Sequence, residues 1–520
     1  MRRKCSRRPR ASFHPARAAV RPIVRHRRRF VENLGACACR PINGAPRIMP
    51  RRFFLMSRQS FLLTLLLAVA VPAAAQVGAP AAPTALPAQL SAADIRSVVD
   101  NLSAAAEQRY VDPAAGKRMA GALRSKAAAG AYDRLTDPVE LAVRLSADLY
   151  AAVPDVHLRV AYEPNRSAET LRQGTTGRQV GGAQPFARID PRSANAIARS
   201  NFGFETVQRL DGNIGYLKLN QFVIPDMSEP TARAALAFLS SSDAIIIDLR
   251  GNIGGSPELV RYILSHFTAP APVALMTRYI RDDDRTETMM TLGEVPGKRR
   301  HGTPLHVLID RNSASSAEMF AYLVQQKRLG TVYGEISRGA GQGGNMIPVG
   351  HGLSAFIPFT RIVDGPGWEG TGIRPDVAAS SADALGAAHR AALRQLVAAT
   401  SNAEIRRERE WALEMAEAAA QPPIGSADLA RFEGQFASRA FKARQGTLYV
   451  IGASGREDAL VRISDTVFRS TGGRYSFDFA GQQLAAKVVF ESIGGTRSET
   501  VRQNERATAP AAPSSGSIRI

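Results

Sequence analysis

Ala244-Ile245-Ile246-Ile247-Asp248-Leu249 runs almost without a polar interruption, then breaks into Arg250-Gly251-Asn252-Ile253-Gly254-Gly255 before a helix start near Pro257. A short, nearly continuous apolar run closed by glycines reads as a strand buried on both faces. Leu305-His306-Val307-Leu308-Ile309 repeats the pattern and breaks into Asp310-Arg-Asn312-Ser313-Ala314-Ser315-Ser316, again at the start of a helix. Gly212-Asn-Ile-Gly-Tyr216 leads into a third strand around Leu217-Lys218-Leu219, and a helix fits 228–240. Apolar strands alternating with helices predict an α/β core with a mostly parallel sheet over residues 205–400.

On the N-terminal side, Ser91-Ala-Ala-Asp94 has the form of a helix start, and Ile95, Val98, Val99 and Leu102 follow at helical spacing. Further helical pattern over roughly 114–129 and 137–153 makes 91–160 a helical domain, closed by the alternating Leu158, Val160 and Tyr162. Residues 161–204 are polar and glycine-rich and are expected to be a connector. On the C-terminal side, 383–419 is helical in composition, and short alternating runs between glycines over 425–505 predict a small β domain. Residues 506–520 are an Ala-, Pro- and Ser-rich tail. No internal repeat is evident.

The 520-residue chain carries a formal charge of +21, which suggests nucleic acid as a partner until the charge is located. Residues 1–58 hold 17 of the 67 Lys and Arg and one acid, Glu32, so the remaining residues carry a net charge of only +5. The basicity belongs to a leader, and a nucleic-acid partner is not expected. Within it, Arg51, Arg52 and Arg58 precede an apolar run from Phe61 to Val71, then Pro72-Ala-Ala-Ala-Gln76. A basic start, a short apolar stretch and small residues at the end predict a signal peptide over 49–75. Residues 1–48 are an Arg-rich extension, 76–90 a linker, and the mature chain is expected to be exported, periplasmic or extracellular. No later stretch is long and apolar enough for a membrane span. Cys5, Cys37 and Cys39 all lie in the leader, so disulfide and thiolate chemistry are not expected in the body. No histidine pair has metal-ligand spacing; neither a metal nor a cofactor is expected.

Two strand-to-helix junctions and one histidine carry the candidate chemistry. The glycines at 251–255 let the backbone approach a ligand and turn N–H groups toward an anion or developing oxyanion. A serine at the second junction sits where a helix N-terminus favours negative charge, although taken alone Ser313 or Ser315 reads first as a helix cap, the usual role of a serine there. His157 stands at a helix-to-strand transition, where a lone histidine is more often structural than catalytic.

Taken together, these segments resemble the serine peptidase family of tail-specific (C-terminal processing) proteases and the tricorn core, in particular the branch related to interphotoreceptor retinoid-binding protein. The resemblance covers about 90–395. Asp248-Leu-Arg-x-Asn-x-Gly-Gly255 matches the family's glycine turn, and Ser315-Ser-Ala-Glu318 matches its S-x-x-E motif. Leu219-Asn-Gln-Phe222, Tyr110-Val-Asp-Pro113 and Tyr132-Asp133 fit as well. The resemblance implies a ClpP/crotonase-like core, Ser315 as nucleophile, and Gly254, Gly255 and Ser316 as sources of oxyanion N–H donors. Tail-specific members place a lysine base 25 residues after the serine; here that position is Ala340, and the neighbouring Arg338 does not release a proton near neutral pH. The tricorn-type branch implies a histidine instead, and Asp155-Val-His157-Leu158 matches its D-x-H-L. It also implies a glutamate before G-x-G-I-x-P-D, which Glu369 supplies. No insertion stands where tail-specific proteases carry a PDZ domain.

The expected function is an exported serine endopeptidase acting on a peptide or protein substrate through an acyl-enzyme on Ser315. His157 would be the general base and Glu369 would orient the histidine or the substrate. The alternative is a non-catalytic hydrophobic-ligand-binding protein on the same scaffold.

Overall fold

The computed structural model describes residues 89–164, 191–422 and 424–503, all within one compact unit, Pro83–Ile520. The expected extension at 1–48, signal peptide at 49–75, most of the linker, residues 165–190 of the connector and the tail lie outside the described residues.

Three helices open the described chain: α1 (Ala92–Arg109), α2 (Pro113–Ala128) and α3 (Pro138–Ala152). Each start is encoded locally. Ser91 and Asp94 form a reciprocal capping box on α1, and Asp112 and Asp137 cap α2 and α3, each followed by a proline at the first helical position. Strand β1 (Arg159–Tyr162) follows, then α4 (Pro191–Arg199), β2 (Phe204–Leu210), β3 (Ile214–Leu219), α5 (Pro225–Phe238), β4 (Ala244–Asp248) and α6 (Pro257–Ser265). Next come β5 (Ala274–Ile280), β6 (Arg285–Met290), β7 (Leu305–Ile309), α7 (Ser316–Gln326), β8 (Thr331–Gly334), β9 (Gly343–Gly350), β10 (Leu353–Ile362) and β11 (Val377–Ala378). Helices α8 (Ala384–Ala399) and α9 (Ala403–Ala418) complete this part. Among the described residues no helix is long and apolar enough to cross a membrane.

The central sheet has the order β11-β8-β7-β4-β3-β2, parallel except for the antiparallel β2–β3 pair. All five residues of both β4 and β7 are buried, because both faces are covered. Ile245, Ile247, Val307 and Ile309 pack with α5, α6 and α7, while Ala244, Ile246 and Leu308 pack with α8. Burying each such aliphatic side chain contributes roughly 2 kcal/mol, which explains why the runs tolerate few polar residues. A second, antiparallel sheet joins β1, β10, β5 and β6, with β9 paired to β10. Its Ile347, Val349, Leu353, Ala355 and Ile357 share a core with Leu102, Met119, Leu141 and Leu145 of the three N-terminal helices. The part of the expected connector that is described is not structureless, since it carries the end of β1 and all of α4.

Residues 434–501 form an eight-stranded meander. Its ends meet, with a Phe436–Arg502 bridge and a bond from the Gln503 amide to the Gln435 carbonyl (2.8 Å), so the sheet curls toward a barrel. Phe432, Phe436, Phe441, Phe468 and Phe477 fill the interior edge to face. The Arg469 guanidinium lies 3.9 Å from the Trp411 ring of α9.

His306, inside β7, is the polar exception in a buried strand; its Nδ1 lies 3.2 Å from the Tyr333 hydroxyl. Burial pushes its pKa down from 6.5 to about 4. The folded value is depressed, so the associated stability is present above about pH 6.5 and lost as the pH falls toward 4, by on the order of 3 kcal/mol. Urea titrations at neutral pH and near pH 4 should show this loss shrinking in His306→Leu; an unchanged loss would place the acid sensitivity elsewhere.

Candidate active site

The two turns that follow β4 and β7 lie side by side at the carboxyl ends of neighbouring parallel strands, where α/β sheets bind ligands. They are stitched together by side chains. The Gly251 amide donates to Asp310 Oδ1 (2.9 Å), the Ser313 hydroxyl to the Leu249 carbonyl (2.8 Å), and the Ala314 amide to the Asn252 carbonyl (2.9 Å). Asn252 also donates from Nδ2 to the Leu219 carbonyl (2.7 Å). Asp248 is buried against Arg250, Lys218 and the Tyr216 hydroxyl. Its carboxyl stays below the usual range because those partners outweigh burial, which acts the other way. Asn252, Asp310 and Ser313 therefore hold the two turns in register, while Asp248 anchors the first turn to β3.

Ser315 stands at the N-terminus of α7 with φ 54° and ψ −117°. A non-glycine residue with positive φ here is strained by roughly 1–3 kcal/mol, and the strain presents its side chain from a sharp strand-to-helix turn. Gly254 passes so close that a Cβ on it would lie 2.7 Å from Ser315 Cβ and 2.9 Å from the Ser316 nitrogen. Gly255 is equally constrained, since a Cβ there would meet the Phe222 carbonyl oxygen at 2.1 Å. The Gly254 amide, expected as an oxyanion donor, is engaged by Asn252 Oδ1 at 2.8 Å. Among the described residues the Gly255 and Ser316 amides donate to no acceptor. The Ser316 hydroxyl donates to the Gly255 carbonyl (2.6 Å) and ties the pair together.

Beside Ser315 is a cavity of about 70 Å³ lined by Met276, Met289, Met319, Trp368 and the loop Ala340–Gly343. Glu318, fully buried, fixes this loop. Its Oε2 accepts from the Ser315 (2.8 Å) and Ala340 (2.8 Å) amides, and its Oε1 from the Ser337 hydroxyl (2.5 Å) and the Gly339 amide (2.7 Å). Glu369 fixes the next two residues, its Oε2 accepting from the Gly341 (2.6 Å) and Gln342 (2.8 Å) amides. Ala340, at the position of the tail-specific lysine, is buried.

On the other side of this loop, His157 stacks on Phe356 of β10 with ring centroids 5.7 Å apart. Its Nδ1 is 3.3 Å from Asp155 Oδ1 and 4.0 Å from Glu369 Oε2. Burial and the neighbouring Asp155 carboxylate raise the Glu369 pKa; His157 and the two amides act in the opposite sense. Both His157 ring nitrogens are buried without a hydrogen-bond partner, so Ser315 and His157 are not hydrogen-bonded to each other. The structure thus brings Ser315 together with the glycine turn and Ser316, and His157 together with Glu369, with the loop 340–343 between the two groups. Asp155 lies closer to the histidine than Glu369 does, a relation that the D-x-H spacing contained but that attention to His157 alone overlooks.

Among the described residues, Asp155, His157 and Glu369 are a group whose potential ligand atoms all lie within 4.8 Å of one another. The near oxygens of both carboxylates already accept amide protons.

Sequence models of two related families match the chain: "Peptidase family S41" over residues 213–379, and the "N-terminal domain of Peptidase_S41 in eukaryotic IRBP" over 88–206. The chain therefore carries a peptidase family S41 domain preceded by an S41 N-terminal domain. The carboxy-terminal-processing protease of Bartonella bacilliformis is 29% identical over 179 residues, 32% of this chain and 39% of that protein. The carboxy-terminal processing protease CtpB of Bacillus subtilis is 28% identical over 200 residues, 36% and 39% of the two chains. The chain therefore spans about two fifths of the length of these curated relatives. Among solved structures, the photosystem II D1 C-terminal processing protease aligns over 55% of this chain and 93% of its own, with 16% identity and a TM-score of 0.37.

Proposed function

We propose that the chain is an exported serine endopeptidase that cleaves peptide bonds through an acyl-enzyme on Ser315. The observation that carries this reading is the backbone of Ser315, held at φ 54° on the N-terminus of α7 beside the Gly255 and Ser316 amides. A structural helix cap has no need of that strain. Neutral His157 takes the Ser315 proton as Oγ attacks the scissile carbonyl carbon, once substrate binding has brought the two side chains into hydrogen-bond reach. The Gly255 and Ser316 amides and the α7 dipole stabilise the oxyanion, each donor contributing about 3 kcal/mol. His157 then returns the proton to the leaving amine, and water attacks the ester by the reverse route.

The S41 domain matches and the carboxy-terminal processing relatives support the reading. Export rests on the leader at 49–75. A hydrophobic-ligand carrier is less well supported at this site, because about 70 Å³ is far below the roughly 300–1,000 Å³ of typical small-molecule pockets.

Incubation with an unfolded protein such as casein, followed by sequencing of new termini, tests the proposal. New termini are expected with the wild-type protein and absent with Ser315→Ala and His157→Ala. Cleavage that survives Ser315→Ala would overturn it.

A further inference from the structure

We propose that Asp155, steadied by Tyr110, is the carboxylate that positions His157, and that Glu369 acts instead as the holder of the loop lining the Ser315 cavity. The inference rests on the serine–histidine reading above and assigns its carboxylates differently from the family resemblance.

The argument is one of competing commitments. Glu369 Oε2, its oxygen nearest to His157 at 4.0 Å, already accepts two backbone amides, Gly341 and Gln342. An oxygen occupied by two donors at 2.6 and 2.8 Å has little capacity left for a third, and the unpartnered oxygen of Glu369, Oε1, is not the one that faces the ring most closely. Asp155 is built into the same local turn as the histidine. Its Oδ1 accepts the His157 amide at 2.8 Å, and that bond brings the carboxylate to 3.3 Å from Nδ1 of the same residue, nearer than Glu369 though without a formed hydrogen bond to the ring. Its Oδ2 accepts the Tyr110 hydroxyl at 3.0 Å. Tyr110 is fixed in turn at the end of α1, where its amide bonds to Ala106 and the following Val111 amide bonds to the Pro358 carbonyl of β10. The histidine ring packs on Phe356 of that same strand. Tyr110, Asp155 and His157 are therefore linked to one another against β10. Placing the Nδ1 proton toward Asp155 leaves Nε2 as the acceptor for the serine proton.

The charged and titratable groups around His157 are Asp155 and Tyr110 from the helical domain, Glu369 from the segment after β10, and Arg159, whose guanidinium lies 4.8 Å from the Phe356 ring. Asp155 is a positioning residue, so its test reads more than activity. The rate of fluorophosphonate labelling of Ser315 is measured from pH 5 to 9 in the wild-type protein, Asp155→Asn, Glu369→Gln and Tyr110→Phe. The ¹⁵N shifts of the His157 ring are recorded in the unlabelled wild-type protein.

Asp155→Asn is expected to slow labelling on the order of 100-fold or more and to move the acidic limb to lower pH, because imidazolium loses its nearest counter-charge. Tyr110→Phe should give a smaller change of the same kind, and Glu369→Gln should slow labelling while moving the limb less than Asp155→Asn does. The wild-type ¹⁵N spectrum should show the proton on Nδ1. A limb that moves with Glu369→Gln and not with Asp155→Asn, or a His157 protonated on Nε2, would overturn the assignment. Absence of Ser315 labelling in the wild-type protein at every pH would instead defeat the peptidase reading, and the ¹⁵N spectrum would still decide the Asp155 contact.

Discussion

Glu318→Ala is expected to destabilise the fold by about 4 kcal/mol or more and to abolish the reactivity of Ser315. The carboxylate is fully buried and accepts four hydrogen bonds, from the Ser315, Gly339 and Ala340 amides and the Ser337 hydroxyl. Removing it strands four donors, and a buried unsatisfied donor costs about 1–3 kcal/mol. The loop also lines the cavity beside Ser315, so its release disorders the substrate side of the site. Glu318→Gln should rescue little, because its amide nitrogen would face donors where an acceptor is needed. Urea denaturation reads the first effect as a lowered midpoint at unchanged slope. A Glu318→Ala protein with wild-type midpoint and wild-type labelling would show that the loop is held by other contacts.

Ser315→Gly should separate stability from function. Glycine adopts positive φ without penalty, so the strain of roughly 1–3 kcal/mol is released, partly offset by about 0.5–1 kcal/mol of chain entropy in the unfolded state. The net expectation is a gain of about 1 kcal/mol. Hydrolysis should fall at least ~10⁴-fold, because no other hydroxyl occupies that position. Ser315→Ala loses the reaction as well but keeps the positive φ, and should not share the gain. Equal stability of the alanine and glycine variants would mean that the serine backbone stores no strain worth measuring.

The parts of this site legible in the sequence are those encoded within a few residues. Ala244–Asp248 and Leu305–Ile309 are buried on both faces, so their composition alone marks them as central strands. The glycine turn after β4 and the serine at the start of α7 stand at the junctions that the apolar runs predict. What was not legible depends on contacts between distant segments. The second sheet escaped notice because β6, Arg285–Met290, is half exposed and β10 carries Pro358 inside its run, which argues against a strand when read locally. Glu318 is visible as part of S-x-x-E, but its acceptors' work is for residues 337–340, some twenty positions later. Gly254 could be seen as a close-approach glycine, whereas the capture of its amide by Asn252 could not. The motif suggests that Glu369 orients the histidine or the substrate; both amides it binds belong to the loop that also lines the Ser315 cavity.

Mapping by mass spectrometry of a fluorophosphonate adduct on the folded chain tests the central claim most directly. The account predicts one adduct per chain, on Ser315, absent from Ser315→Ala and strongly reduced in His157→Ala. An adduct on Ser313 or Ser316 instead, or a folded chain that stays unlabelled while an authentic serine hydrolase reacts alongside, would contradict it.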